Sequence, residues 1–445
     1  MEVEGRGMLG GRGIEGDGGS PTGFAALVGR NAAVGAMEVG PAARGGAWRD
    51  AALALDDWMR ARDYAGHDPH DLLSSPVVRA LTLGSRWLAV AWTQLGKRSR
   101  IDLRPLLGVR PSRNAKGIGL VVASYVRLHS ATGEARYREE ARRLVEWLGG
   151  AVSPGWEGAG WGYPFPWANR DFHAPAGTPS SVVTSFVAHA LLDAADAFGW
   201  DEARDLARRG GTFVRRSLNR IPGPDELFCF SYTPLDRRGV HNASLLAASL
   251  LARLSALDGD GVLAEEALLA ARFSAAAQRP DGSWPYGLGA RNAWVDSFHT
   301  GYVLVALRDI GAALGTDEFD EAIDGGLAYW KRAFLTGPAV GFHPGSAYPI
   351  DAHAVAHAIL MLLELRDRDP EARGIAERLA GWLVREMRDP SGFYHYLRTR
   401  HGTNRLPYMR WVQSWVLRAL SELAAVETSS PSSPEARAPQ KRTER

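Results

Sequence analysis

The chain has 445 residues, 45% of them hydrophobic and 23% charged, with 52 Lys and Arg against 50 Asp and Glu. That is apolar material enough for a large globular core, and the near balance of charge argues against nucleic acid as the main ligand, since phosphate binding leaves a basic surplus on one face. The single cysteine, Cys229, excludes an intrachain disulfide and a cysteine-based zinc cluster, and within Leu-Phe-Cys-Phe-Ser it reads as a packed strand residue.

From the N-terminus, residues 1–46 are rich in Gly and Ala and lack a basic segment followed by an apolar one, so they read as a disordered tail without a targeting signal. Helix-period apolar patterns follow at about 48–63, 76–95, 113–131, 135–149, 180–198 and 201–218. They continue at about 241–257, 261–278, 297–313, 318–334, 352–367, 371–388 and 409–425. No stretch reads as long and uncharged enough to span a bilayer. Residues 426–445 are Ser, Pro and charge and read as a second disordered tail, leaving one domain over 47–425. The expected location is the cytoplasm; the oligomeric state is not legible.

These helices fall into pairs. Links such as Ala-Thr-Gly at 131–133, Phe-Gly-Trp at 198–200 and Arg-Asp-Pro at 368–370 are short enough to force antiparallel hairpins. The longer connections repeat an aromatic theme: Gly-Trp-Gly-Tyr-Pro-Phe-Pro-Trp from Gly160, Leu-Phe-Cys-Phe-Ser-Tyr from Leu227, and Asp-Gly-Ser-Trp-Pro-Tyr-Gly from Asp281. Gly-Phe-His-Pro-Gly from Gly341 and Gly-Phe-Tyr-His-Tyr from Gly392 complete it. Copies spaced roughly 50–70 residues apart signal a repeat architecture, each copy a short extended ribbon. The expectation is an all-α, (α/α)6 toroid with short β-ribbon connections at one end, the first helix of each hairpin facing the axis. Closure is expected because the first helix, near Trp58, lacks a partner that the last, near Trp415, can supply; the alternative is an open solenoid.

Two resemblances bear on this. Gln-Arg-Pro-Asp-Gly-Ser-Trp-Pro-Tyr-Gly at 278–287 resembles the QW-type repeat of squalene–hopene cyclases and their prenyltransferase relatives, a motif that stacks helix ends. The cyclases' Asp-rich catalytic motif is absent, and Asp296-Ser-Phe-His299 does not reproduce it. The wider chain is similar to bacterial proteins of the six-hairpin glycosidase-like superfamily found with exopolysaccharide and capsule biosynthesis. The matching residues are His-Asp-Pro-His-Asp-Leu-Leu-Ser-Ser-Pro at 67–76, Ile-Asp-Leu-Arg-Pro-Leu-Leu-Gly at 101–108, Asn-Ala-Lys-Gly at 114–117, and the segments 161–170, 296–302 and 406–411. This resemblance implies a saccharide or polysaccharide as partner. Neighbours in the fold include glycoside hydrolases, polysaccharide lyases and sugar epimerases, so it implies substrate class better than reaction.

The chemistry-bearing residues cluster at the starts of expected inner helices. Asp296 is placed to cap its helix, with His299 in the first turn and Tyr302 one turn on, and a His beside a carboxylate suits acid–base work near neutrality. The alternative is that Asp296 only caps and His299 bonds a neighbouring loop. Asp351 and His353 repeat the pattern on the next inner helix, and His241-Asn242 opens the preceding one. His353 and His357, four apart, share a face; without a third ligand at a usable spacing no metal is assigned, and no cofactor is called for. Trp161, Tyr163, Phe165, Trp167, Trp284 and Tyr286 offer rings on which sugars can stack, against the alternative of padding between helices. Asn169, Arg170 and Asp171 can bind hydroxyls or carboxylates. Arg398, Arg410 and Gln413 with Tyr394, His395 and Tyr396 form a further patch, where Arg suits an anionic sugar. A hydrolase would need two carboxylates, for which Asp296 and Asp351 are the candidates, with Glu157 and Glu226 in reserve. A lyase or uronate epimerase would need a His/Tyr/Arg set, which this chain supplies more richly. A non-catalytic saccharide-binding or polysaccharide-assembly protein and an isoprenoid-handling toroid remain the alternatives.

Overall fold

Two kinds of helix alternate along the chain. The first kind is apolar nearly all round, as in Ala352–Glu364, so it can only be buried; the second carries one apolar stripe, as in Asp201–Ser217, and lies at the surface. The structure, a computed structural model, describes residues 46–168 and 173–429. The tail regions 1–45 and 430–445, and the candidates Asn169, Arg170 and Asp171, lie outside the described residues.

The inner helices are α4 (Ala115–Thr132), α6 (Ser181–Phe198), α8 (His241–Asp258), α10 (Ser297–Leu314), α12 (Ala352–Glu364) and α14 (Ser414–Ser429). Each packs on the next, and α14 packs on α4, which closes the ring. Outside them run α5 (Ala135–Gly150), α7 (Asp201–Ser217), α9 (Gly261–Ala275), α11 (Asp320–Phe334) and α13 (Ala372–Glu386). The sixth outer helix is α1 (Ala47–Arg60), which packs on α14. The toroid therefore closes by pairing its first helix with its last.

Local sequence accounts for the hairpins. Inner helices start on side-chain caps, with Asn114, Ser180, Asp296 and Asp351 each accepting a backbone N–H of the first turn; such a cap contributes about 1 kcal/mol. Gly133 and Gly199 end α4 and α6 in the left-handed conformation that an L side chain resists, and turn the chain back along the outside. At the far end of the ring, where the inner helices finish, ion pairs such as Arg253–Asp193 at 2.7 Å and Arg308–Glu364 at 3.0 Å join neighbours.

The ribbons are short. β1 (Trp167–Ala168) pairs with β2 (His173–Ala174), β3 (Arg220–Pro222) with β4 (Phe228–Phe230), and β5 (Ile350–Asp351), β6 (Leu397–Thr399) and β7 (Gly402–Asn404) form a three-stranded sheet, all antiparallel. Cys229 in β4 is fully buried, and burial pushes its thiol up to about 11. Gln278 donates its amide to the carbonyls of Gly282 and Ala322, and Trp284 Nε1 donates to Ser274 O, so the QW-like segment ties helix ends together.

Two expectations need correcting. The pattern at 76–95 is not one helix but two, α2 (Pro76–Leu81) and α3 (Arg86–Arg98), broken where Leu83 and Gly84 take positive φ. They lie outside the ring, which is why Leu81 on α2 and Trp87 on α3 stay exposed. One helix, α6, is long and apolar enough to cross a membrane by length and composition, contrary to the reading above. Its apolar surface is used for burial between α4 and α8.

Candidate active site

Five inner helices are each the first of their hairpin, and α14 is entered from the same end, so all six run in the same direction and their N-terminal ends meet around one cavity of about 370 Å³. Each contributes to its lining. Lys116 comes from α4, Val182 from α6, Asn242 from α8, and His353 from α12. Asp296, His299 and Tyr302 come from the start of α10, and Arg410 and Trp411 from the π-turn leading into α14. The side walls are aromatic: Tyr163 stacks on Phe165 with centroids 5.4 Å apart, Trp167 leans on Tyr232 at 5.2 Å, and Tyr286 stacks on Trp294 at 4.2 Å.

Asp296 does two things at once. Its Oδ1 accepts the His299 backbone N–H at 2.8 Å, capping α10, and its Oδ2 lies 2.7 Å from His299 Nδ1. The second contact fixes the ring and leaves Nε2, which has no hydrogen-bond partner among the described residues, as its working nitrogen. Tyr286 and Trp294 flank that ring at 4.7 and 5.5 Å.

A second pair lies beside the first, one turn further along α10. Tyr302 Oη is 2.9 Å from His353 Nε2, and both residues are buried. Burial first, and the Lys116 charge second, hold His353 well below the usual histidine range, so it is neutral. Burial likewise pushes the Tyr302 phenol well above its ordinary value, leaving it a proton donor. His353 is sandwiched between Phe298 at 4.9 Å and Trp415 at 4.7 Å, and its Nδ1 has no partner.

Asp351 sits behind the lining. Its oxygens accept the His353 backbone N–H at 2.9 Å and Trp411 Nε1 at 3.0 Å. It is not among the lining residues and these bonds make it position the start of α12, while burial raises its carboxyl to about 6. His357 follows on α12, its ring 4.1 Å from that of Tyr302, and burial lowers it to about 3. Among the described residues no group of three His, Cys, Asp or Glu side chains is placed to hold a metal.

The remaining candidates divide. Tyr163, Trp167, Asn242, Tyr286 and Arg410 line the cavity. Trp284 is buried in the wall beside Asp296. His241 points into the core, where it meets Ser274 Oγ at 3.3 Å and burial lowers it to about 4. Trp161 is buried with Nε1 on Leu148 O, Tyr394 is buried at the ribbon, and Arg398 donates to Thr403 Oγ1 at 2.8 Å on the three-stranded sheet. None of these last four lines the cavity.

Several lining residues escape a reading by hairpins, among them His70, Lys97, Lys116, Phe342 and His343. His70 and Lys97 arrive from the segment outside the ring, held by a buried network. Arg104 donates to Asp71 and to Asp68 O, and contacts Tyr408 Oη at 3.1 Å, while Asp68 bonds Arg410. Burial, the largest single influence, would raise Asp68, but the Arg410 charge and the hydrogen bonds from His70 and Arg410 together outweigh it and hold the carboxyl well below the usual range. The one local signal for Lys116 is a lysine in the first turn of a helix whose next seven residues are Gly or apolar.

No protein-family model matches the chain, and no curated protein matches its sequence. Solved structures match by fold. A sugar epimerase from a ruminal bacterium aligns at 13% identity and TM-score 0.57, over 72% of this chain and 90% of that one. Cellobiose 2-epimerase from Bacillus thermoamylovorans aligns at 10% identity and TM-score 0.55, over 70% and 87%. A GH76 alpha-mannanase from Bacteroides thetaiotaomicron aligns at 11% identity and TM-score 0.55, over 71% and 87%. At such identities the likeness is one of fold, and it agrees with the closed (α/α)6 toroid described above.

Proposed function

We propose that this protein is a sugar-active enzyme that works by proton transfer, as an epimerase or isomerase, on a cell-surface saccharide or its precursor. The observation that carries the reading is the pairing of two histidine-centred units, Asp296–His299 and Tyr302–His353, on adjacent inner helices of one aromatic-walled cavity. The rings of His299 and Tyr302 lie 6.2 Å apart edge to face on the same lining, so both reach a sugar held in the cavity. In this reading His299 Nε2 removes the proton next to a carbonyl, and Asp296 stabilises the imidazolium that results. Tyr302 Oη, held by His353 Nε2, gives a proton to the other face, and the phenolate is reprotonated from the His299 imidazolium as the product leaves. The Arg410 guanidinium stabilises the enolate oxygen.

Hydrolysis fits less well. Two carboxylates across a cleft are required, and among the described residues Asp296 is the one carboxylate on the cavity lining, Asp351 being engaged behind it. The polar convergence on the lining also weighs against an isoprenoid tunnel. The test is incubation with mannose, cellobiose and glucuronate in deuterium oxide, followed by proton NMR. Loss of the proton next to the carbonyl carbon and appearance of the epimer are expected. New reducing ends without exchange would assign hydrolysis instead, and binding without either would make the protein a saccharide-binding module.

A further inference from the structure

Lys116 is a buried amine that no carboxylate pairs with among the described residues. It is the second residue of α4 and only 3% exposed, yet it lines the cavity. Its Nζ lies 4.1 Å from the ring centroid of Phe186, 5.1 Å from Trp415 and 5.5 Å from Tyr302. No carboxylate forms an ion pair with it among the described residues. Arg410 packs against the same turn, since a Cβ on Gly117 would stand 3.3 Å from Arg410 Cβ. Arg410 gives its Nε to Asp68, and its terminal nitrogens make no hydrogen bond among the described residues. Asp68 also bonds His70. Of these two neighbouring basic side chains, only Arg410 bonds a carboxylate among the described residues.

A charge on Lys116 is costly. Burying an ammonium without a partner forfeits its hydration, and three aromatic faces return only part of that. Burial and then the Arg410 charge both lower Lys116, which shows how poorly the empty site supports it. A neutral side chain such as Met would fill the same volume at no electrostatic penalty. The six inner helices add to the imbalance, because their N-terminal ends, each carrying a partial positive charge, all face this cavity.

We propose that the cavity takes a saccharide carrying a compact anionic group, a carboxylate or a phosphate, which seats between Lys116 and Arg410 and supplies the missing counter-charge. This rests on the sugar-active reading above and narrows its substrate to acidic sugars. The anion lies beside Tyr302, so it orients the sugar toward the Tyr302–His353 pair.

Isothermal calorimetry on the full chain tests this with glucose, glucuronate, glucose 6-phosphate and inorganic phosphate, each against wild type and K116M. Wild type binds glucuronate or glucose 6-phosphate at least about tenfold tighter than glucose, and K116M loses most of that preference while holding glucose within about twofold. Whichever acidic sugar shows the preference identifies the group as carboxylate or phosphate. Equal affinity for glucose and both acidic sugars in wild type overturns the anion seat and leaves the sugar-active reading standing, as does an undiminished preference in K116M. Phosphate binding to wild type but not to K116M, with no sugar bound, keeps the seat and removes the sugar. If K116M does not fold, reductive methylation of the wild type decides: the preferred acidic sugar protects the Lys116 amine and glucose does not, and equal protection overturns the proposal.

Discussion

One carboxylate, that of Asp296, holds the His299 backbone N–H at 2.8 Å with one oxygen and the His299 ring Nδ1 at 2.7 Å with the other. Helix cap and ring orientation are therefore coupled in a single residue. Replacing Asp296 with Asn separates them, because Asn caps as well as Asp but removes the charge that stabilises an imidazolium. D296N should stay within about 1 kcal/mol of wild type in urea denaturation while turnover drops by roughly 10²–10⁴. Unchanged turnover would remove His299 from the chemistry.

Tyr302 and His353 form the second pair, and His353 Nδ1 is already without a partner. Y302F takes the partner from Nε2 as well, leaving a buried imidazole with neither nitrogen satisfied. The expected loss is about 1–3 kcal/mol of stability, read by chemical denaturation, together with a fall in turnover. A variant as stable as wild type would mean that the hydroxyl and the ring do not interact.

Asp351 makes stability depend on pH in a direction opposite to an ion-paired carboxylate. Its folded carboxyl keeps a proton up to about 6, against an ordinary value of 3.8. Its contribution is fully present below the unfolded value and is lost as pH rises through the folded one. Asn does not titrate, so the stability of D351N relative to wild type should improve by about 2 kcal/mol between pH 4.5 and pH 7.5. A difference that does not change with pH would show that Asp351 titrates normally.

Gly301 sits where α10 crosses α12. A Cβ there would stand 2.7 Å from His357 Cε1 and 3.2 Å from Met361 Sδ, closer than packing allows. G301A should therefore cost about 1–3 kcal/mol and, by shifting α12, weaken the Tyr302–His353 contact and slow turnover. Wild-type stability would mean that the two helices have room to spare.

Much of the scaffold was legible because the rules that build it are local. A 3.6-residue apolar period, a cap at Asn114, Ser180, Asp296 or Asp351, and a left-handed glycine at Gly133 or Gly199 act over a few residues each. Those rules marked the hairpins and pointed to the helix starts where Asp296, His299, Tyr302 and His353 lie. They also produced the error at 76–95, since a helical period does not say whether its apolar face finds anything to cover it.

What only the tertiary structure decided is which side chains at those starts share the cavity. His241 opens an inner helix as Asp296 does, yet a rotation about the helix axis sends it into the core beside Ser274. Lys116 sits in a motif with no chemical signature and finds aromatic rings but no ion pair among the described residues once α6, α10 and α14 surround it. Asp68 and Arg410 meet across 342 residues of chain. Sequence pattern determines how a segment folds on itself. Contact between distant charges depends on how the closed ring packs, and that is settled only when all of its helices are in place.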